Sequence, residues 1–186
     1  MVDGLDGCGK DTHALRIKRL LETKGERVDI VSHPSKRLFG RLSKRFLEGE
    51  GNSARFLATV FFTADVLASV RRFKNRREGT TIFVRYLMGT AYLPRRLAPS
   101  GYTFFRRLLP FPDLALFIDI DPEVAIDRIE RRDHKREMFE TPEKLARVRD
   151  TATRLVSHEW EVVDNSQDGE QAFIEVEGIL RKRGMI

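Results

Sequence analysis

Cysteine is nearly absent from this chain of 186 residues, since Cys8 is its only one. A lone cysteine cannot form an internal disulfide, which excludes a disulfide-stapled secreted scaffold and agrees with a reducing compartment. The sequence also lacks an apolar run approaching the length of a membrane span, and its first residues lack the apolar core of a signal peptide. It contains no internal repeat, low-complexity tract or linker. We therefore expect a single domain, residues 1–186, in a cytoplasmic protein that does not enter a membrane.

Acidic residues are fewer than basic ones, 28 against 34, which leaves a formal net charge of +6. This excess favours an anionic partner such as a nucleotide or a nucleic acid. The basic residues also gather in clusters, although any such cluster is more often an ordinary solvated helix face. The clusters are Lys36–Arg45, Arg71–Arg77, Arg95–Arg107 and Arg128–Arg136.

A glycine-rich stretch near the start, Gly4–Thr12, predicts a phosphate-binding loop. Glycines let backbone N–H groups turn toward an anion, a lysine reaches the outer phosphates, and the following helix directs its positive dipole end at them. The usual spacing is Gly, four residues, Gly, Lys and then Ser or Thr. Here Asp11 follows Lys10, and the hydroxyl comes one position later, at Thr12. A glycine-rich turn without a ligand is the alternative. The helix start could also lower the pKa of Cys8, although a small loop residue is the simpler interpretation.

Strand-like apolar runs alternate with helical patterns along the rest of the chain, which predicts a parallel sheet with helices on both faces. Only three residues precede Gly4, so the first strand is either very short or begins upstream. The later strands are predicted at Arg27–Ser32, Thr80–Val84, Leu114–Ile120 and Trp160–Val163. The clearest helices are predicted at Lys36–Leu47, Ser53–Arg72 and Glu170–Arg181, with others opening at Asp121 and Thr141. Within Ser53–Arg72, one apolar stripe contains Phe56, Val60, Thr63, Leu67 and Val70.

Several short motifs, taken together and in order, resemble those of the thymidylate kinases, a branch of the P-loop nucleoside monophosphate kinases. The glycine-rich loop is the first of them. The others are Phe62-Thr63-Ala64-Asp65, Arg85-Tyr86 followed by Gly89, Thr90, Ala91 and Tyr92, then Pro112-Asp113-Leu114, Ile118–Glu123 and Met138-Phe139-Glu140. The resemblance covers nearly the whole chain. It implies the α/β P-loop NTPase three-layer fold, with a five-stranded parallel sheet, helices on both faces and a basic lid at about residues 128–140.

The resemblance implies transfer of the γ-phosphoryl group of ATP, with Mg²⁺, to a nucleoside monophosphate, with dTMP as the leading candidate acceptor. Such chemistry asks the protein mainly for positioning and charge stabilisation. The implied ATP-binding residues are Gly4, Gly7, Cys8, Gly9, Lys10, Asp11 and Thr12. Lys10 would bind the β- and γ-phosphates, and Asp6 would lie near the metal and the acceptor sugar. Thr12 or Asp11 would help to hold Mg²⁺, although Thr12 could equally be a first-turn hydroxyl.

The transition-state arginine of this family comes from the phosphate loop or from the lid. Gly7 occupies the loop position, so the resemblance assigns the role to the lid, with Arg132 and Arg136 first and Arg128 and Arg131 next. The alternative for these side chains is the solvated end of a basic helix. The segment Arg128–Glu140 is predicted to form a mobile basic hairpin.

On the acceptor side, Arg85 resembles the arginine that grips the acceptor phosphate, since it follows a predicted strand and guanidinium suits a phosphate. Phe62 resembles the phenylalanine that stacks on the acceptor base, with a core aromatic as the alternative. Tyr92 resembles a tyrosine near the sugar, and Pro34 a turn that lines the acceptor site. The segment Asp164–Ser166 falls where such kinases approach the adenine.

Three departures from the family pattern bear on function. Val84 replaces an aspartate near the metal, so Asp6 and Asp11 are candidates to take over its task. Val66 replaces the arginine that hydrogen-bonds thymine, and losing a polar pair changes selectivity sharply. The spacing from Arg85 to Tyr92 is also one residue shorter, which puts the reach of Tyr92 toward the sugar in question.

The alternatives are an ATP-binding relative with weak or lost kinase activity, suggested by Val84, and a nucleic-acid-associated ATPase, suggested by the aromatic and basic segment Tyr102–Arg107. A nucleic-acid partner is the least favoured of these. The family resemblance also suggests a homodimer formed through the helix Ser53–Arg72.

Overall fold

The carboxyl ends of five parallel strands form one edge of the sheet in the described part of the chain. The computed structural model describes residues 1–49, 51–73, 79–131 and 139–186. The strand order is β2-β3-β1-β4-β5, so the first strand is central. The strands are β1 Val2–Gly4, β2 Val28–Ser32, β3 Thr80–Val84, β4 Ala115–Asp119 and β5 Trp160–Asp164. A chain that places its first strand at the centre delivers the following loop to the middle of the carboxyl edge, where open parallel sheets bind ligands.

Helices connect the strands and cover the sheet. They are α1 Lys10–Thr23, α2 Leu38–Leu47, α3 Asn52–Phe73, α4 Ala98–Leu108, α5 Pro122–Glu130, α6 Pro142–Leu155 and α7 Gly169–Lys182, with a 3₁₀ helix at Met88–Tyr92. Helices α1 and α7 share one face, because His13 stacks on Phe173 and Arg16 pairs with Glu170. The right-handed crossovers of parallel sheets place the other helices on the opposite face. The predicted five-stranded α/β architecture is thereby confirmed.

Local sequence explains where several elements begin and end. The four residues Ala115–Ile118 of β4 are all buried, because a parallel strand covered on both faces needs an unbroken apolar run. Thr141 caps α6 by accepting a hydrogen bond from the Lys144 N–H, and Pro142 occupies the first turn, where its missing N–H costs nothing. Both ends of the predicted β3 strand agree with the structure.

Two predictions about helices need correction. The predicted basic hairpin at Arg128–Glu140 is wrong at its start, because helix α5 continues through Arg128 to Glu130. Residues 132–138, which make up most of the predicted lid, lie outside the described residues. The apolar stripe predicted on α3 is buried only in part, since Phe56 is 68% and Val60 45% exposed whereas Val70 is buried.

The prediction that no apolar run approaches the length of a membrane span also needs correction, because of α3. By length and composition, Ser53–Phe73 could cross a membrane, with a mean hydropathy of 1.4. The helix contains Asp65, whose buried carboxylate accepts hydrogen bonds from the backbone and side chain of Ser35. It also packs against α2 in this domain. A single helix of this composition is weak evidence for a membrane protein, because helices of soluble domains pass the same test.

Candidate active site

The loop between β1 and α1 needs glycine at defined positions. Gly7 and Gly9 adopt φ values of 81° and 85°, in the left-handed region where side chains are strained. Space is equally restricted, because a Cβ added to Gly7 would lie 2.6 Å from the Ala125 carbonyl oxygen of α5. An arginine at position 7 would collide with this backbone. The backbone of the loop and of α5 is therefore fitted to glycine at position 7, and a side chain there would require one of them to shift.

We expect Gly7→Ala to lower the free energy of unfolding by about 2–4 kcal/mol, since it combines a left-handed φ with a backbone clash. Gly25→Ala is the matched control, because Gly25 has a φ of 85° but no atom within 4 Å of an added Cβ. The control should lose only about 1 kcal/mol. Urea unfolding of both variants checks this, and equal losses would show that α5 does not press on the loop.

Lys10 is the first residue of α1, and its side chain folds back over the loop. Its Nζ donates a hydrogen bond of 2.8 Å to the Leu5 carbonyl oxygen. The same Nζ lies 3.6 Å from Asp6 Oδ1. The residue is only 4% exposed, so these two contacts hold its ammonium group largely out of solvent.

Asp6 is the centre of a buried cluster of charged and polar groups. Its carboxylate forms an ion pair with Arg85 and accepts a 2.9 Å hydrogen bond from the Tyr92 hydroxyl. Burial alone would raise the pKa of Asp6, but the charges of Arg85 and Lys10 and these hydrogen bonds lower it to about 2. Burial and the Asp6 charge raise the pKa of Tyr92 well above its ordinary value. Near neutral pH the cluster therefore contains an ionised carboxylate and a protonated phenol.

Asp3 fixes the backbone that presents Arg85. One carboxylate oxygen, Oδ2, accepts hydrogen bonds of 2.9, 2.9 and 3.0 Å from the N–H groups of Tyr86, Leu87 and Met88. These bonds hold the turn in which Arg85 has a φ of 59°, the single positive φ of a non-glycine residue within the described ranges. Such a conformation costs free energy and persists only where surrounding contacts enforce it. The sequence-based predictions did not include Asp3.

A pocket beside this cluster brings together four predicted residues, Asp6, Phe62, Arg85 and Tyr92. Its cavity volume is about 60 Å³, and it opens to solvent. The Phe62 ring lies against Gly89, where an added Cβ would be 2.9 Å from Phe62 Cε1. Phe62 is half-buried and also packs on the core, which agrees with the core interpretation; its stacking on an acceptor base stays a prediction. The shorter spacing does not keep Tyr92 away from the pocket, because the 3₁₀ helix delivers it there.

Pro34 is not among the residues that line this pocket. It lies in the turn after β2 and borders a separate surface cleft with Ser35 and Arg37. The turn is tied to α3, since Asp65 accepts 2.6 Å hydrogen bonds from both the N–H and the hydroxyl of Ser35. The preceding His33 packs edge-on against Phe62, with ring centroids 6.2 Å apart. The turn therefore supports Phe62 from behind.

The predicted metal residues Asp11 and Thr12 lie in the first turn of α1, and both are exposed. Asp11 Oδ1 accepts a 3.3 Å hydrogen bond from the Ser32 hydroxyl. Among the described residues, no group of three or more His, Cys, Asp or Glu side chains could hold a metal ion. One carboxylate beside hydroxyl groups nevertheless fits Mg²⁺, which usually keeps several waters and takes its other ligands from phosphates. Val84, which replaces the aspartate of the family pattern, is 1% exposed and belongs to the hydrophobic core.

On the far side of the loop, Asn165 holds the loop in place. Its side-chain Nδ2 donates a 2.8 Å hydrogen bond to the Cys8 carbonyl oxygen. Its backbone carbonyl oxygen accepts a 2.9 Å hydrogen bond from the Arg128 guanidinium. Burial raises the pKa of the Cys8 thiol, so the suggestion of a lowered pKa was wrong. The preferred lid residues Arg132 and Arg136 lie outside the described residues.

Comparison with known proteins identifies the arrangement. The family model described as thymidylate kinase matches residues 2–176. The chain belongs to the thymidylate kinase family. Its relatives include the "Probable thymidylate kinase" of Pyrobaculum calidifontis, 29% identical over 187 residues, with 97% of this chain and 94% of that protein covered. The thymidylate kinase of Leptospira borgpetersenii is 25% identical over 172 residues, with 87% and 82% covered.

A solved structure agrees with this assignment at the level of the fold. The thymidylate kinase of Candida albicans superposes with a TM-score of 0.79 at 19% identity, covering 99% of this chain and 91% of that one. The predicted membership in the thymidylate kinase type of nucleoside monophosphate kinase is confirmed by the family match. Thymidylate kinases are soluble phosphotransferases that use ATP as phosphate donor.

Proposed function

We propose that this member of the thymidylate kinase family transfers the γ-phosphoryl group of ATP to dTMP in the pocket beside the glycine-rich loop. The observation that carries the proposal is the cluster of Asp6, Lys10, Arg85 and Tyr92. It lies where the phosphate-binding loop meets a pocket walled by Phe62. A phosphate donor bound at the loop and an acceptor bound in the pocket would therefore meet at this cluster. Bringing the two together is the main requirement of phosphoryl transfer.

Each residue of the cluster has a distinct task in the proposed reaction. Lys10 donates to the β- and γ-phosphates and stabilises the charge that develops on the bridging oxygen as its bond to the γ-phosphorus breaks. Arg85 positions the acceptor phosphate, whose oxygen attacks that phosphorus in line. Asp6 keeps both cations in place before the substrates bind, because it pairs with each of them. The Phe62 ring stacks on the acceptor base.

Three other parts of the site remain predictions. Asp11 and Thr12 would hold Mg²⁺, which when bound neutralises phosphate charge and orients the γ-phosphoryl group. Pro34, which lies outside the pocket, would act on the acceptor only through the turn that supports Phe62. Arg132 and Arg136 would supply the lid arginine, consistent with the crowded position of Gly7.

A coupled assay of ADP release over a panel of nucleoside monophosphates tests the proposal. We expect Mg²⁺- and ATP-dependent turnover with dTMP, and slower turnover with purine monophosphates. A chain that binds ATP but turns over no monophosphate would contradict the proposal. Hydrolysis stimulated by a polynucleotide would contradict it as well.

We also propose that the enzyme is a cytoplasmic homodimer formed through α3. The exposed apolar residues Phe56 and Val60 support this assembly, since a second copy would cover them. A mass in solution of about twice the 21.5 kDa of one chain would agree with it.

A further inference from the structure

Arg55 lines the pocket that also contains Asp6, Phe62 and Arg85, and one of its N–H groups has no hydrogen-bond partner. It projects from the first turns of α3, and its guanidinium carbon lies 5.5 Å from the centroid of the Phe139 ring. Its Nε is buried and has no hydrogen-bond partner. No ion pair of Arg55 is found among the residues that the structure describes. A buried donor without a partner costs free energy, which a bound ligand could recover.

The other polar side chains of this pocket already have partners. Arg85 and Tyr92 both donate to Asp6. The Ser43 hydroxyl donates to the Ala58 carbonyl at 3.0 Å, and the Thr59 hydroxyl donates to the Arg55 carbonyl at 2.9 Å. These hydroxyl protons are therefore engaged within the protein. Among the described lining residues, Arg55 is the one whose side-chain donor is buried and unmatched.

On the other side of Phe62, the described residues Thr63, Val66 and Thr90 offer no side-chain donor that could replace Arg55. Val66 is 2% exposed and apolar, and the hydroxyls of Thr63 and Thr90 donate to the carbonyls of Thr59 and Leu87. An acceptor that needs a hydrogen bond to its base or phosphate must find the donor elsewhere in the pocket. Arg55 lines the same pocket as Phe62, on the same helix.

We propose that Arg55 is an acceptor-binding and specificity-determining residue, whose guanidinium donates to an oxygen of the bound nucleoside monophosphate. The inference rests on the proposed function, which places that acceptor in this pocket. The oxygen belongs to a carbonyl of the base or to the phosphate, since a guanidinium pairs with either. An acceptor without the contacted oxygen is discriminated against, because the buried donor then stays unpaired.

The test compares Arg55→Met and Arg55→Lys with Arg71→Met, which removes an exposed arginine from the same helix. We expect Arg55→Met to raise the Kd of dTMP, measured by calorimetry, and its KM by about 10- to 100-fold. The KM of ATP should change less than about 3-fold. Arg55→Lys should recover part of the loss, and Arg71→Met should match the unmodified enzyme. Thermal melting of each variant separates lost binding from lost folding.

Two ligands identify the contacted oxygen. If Arg55 binds a base carbonyl, Arg55→Met and the unmodified chain will bind alike the dTMP analogue that lacks that carbonyl, with the oxo groups at positions 2 and 4 removed in turn. If it binds the phosphate, the two will bind thymidine alike.

The outcomes separate this inference from the proposed function. Equal dTMP affinity of Arg55→Met and the unmodified chain would overturn the role of Arg55 and leave the kinase proposal standing. Weaker dTMP binding by Arg55→Met, in a chain without turnover, would support Arg55 and overturn the kinase proposal. A chain that binds no monophosphate would overturn both.

Discussion

Replacing Lys10 by methionine is expected to lower kcat with ATP and dTMP by about 10²- to 10³-fold. The side chain is buried at the loop, where its Nζ lies 2.8 Å from the Leu5 carbonyl oxygen. An ammonium group held there can stabilise charge on the bridging oxygen without reorganising at the moment of transfer. Methionine keeps the length and apolar stem of lysine but removes the charge. Rapid-mix measurement of the first turnover, with both substrates saturating, isolates this step.

Lys24→Met is the control, because Lys24 is an exposed lysine at the end of the same helix. It should leave kcat unchanged. Lys10→Met should still fold, since Asp6 retains its ion pair with Arg85 and its hydrogen bond from Tyr92. A Lys10→Met enzyme within about 3-fold of normal kcat would remove Lys10 from the chemistry.

Replacing Arg85 by methionine is expected to lower kcat/KM for the acceptor by about 10- to 150-fold, the loss of a charge-assisted pair with its phosphate. The KM for ATP should change much less, because the loop and Lys10 remain. Steady-state kinetics with each substrate varied in turn measures both values. Arg107→Met, which removes an exposed arginine from α4, is the matched control. A loss that falls equally on ATP and the acceptor would contradict this role.

The same substitution has a consequence for acid stability. A carboxyl with a pKa lowered from 3.8 to about 2 stabilises the folded state above pH 4 and loses that contribution as the pH falls toward 2. For Asp6 this amounts to about 2 kcal/mol. Without Arg85, the pKa of Asp6 rises and the contribution shrinks. The free energy of unfolding, measured by urea at pH 5 and pH 3, should therefore depend less on pH in Arg85→Met than in the unmodified enzyme.

Local patterns in the sequence were enough to predict the loop, the strands and the position of Arg85. The glycines within Gly4–Thr12 indicate a turn with positive φ values, because glycine adopts them without strain. The φ values of Gly7 and Gly9 agree with this prediction. Arg85 follows a clear β-branched run, so its place at the carboxyl edge followed from the parallel arrangement.

Contacts between distant segments could not be predicted in this way. Asp3 lies in a three-residue strand, and its hydrogen bonds to the backbone of Tyr86, Leu87 and Met88 join residues more than 80 positions apart. The periodicity of α3 predicted one apolar stripe, but nothing in it indicated that Arg55 points into the pocket while Phe56 faces solvent. Both depend on the packing of other elements around them.

The most direct measurement is the transfer of labelled phosphate from γ-labelled ATP to dTMP, with the products separated by chromatography. We expect that label appears in dTDP, that its appearance requires Mg²⁺, and that Lys10→Met reduces it to near the level without enzyme. Label that appears only as inorganic phosphate, or remains in ATP while calorimetry shows that ATP is bound, would show that this chain is not a dTMP kinase.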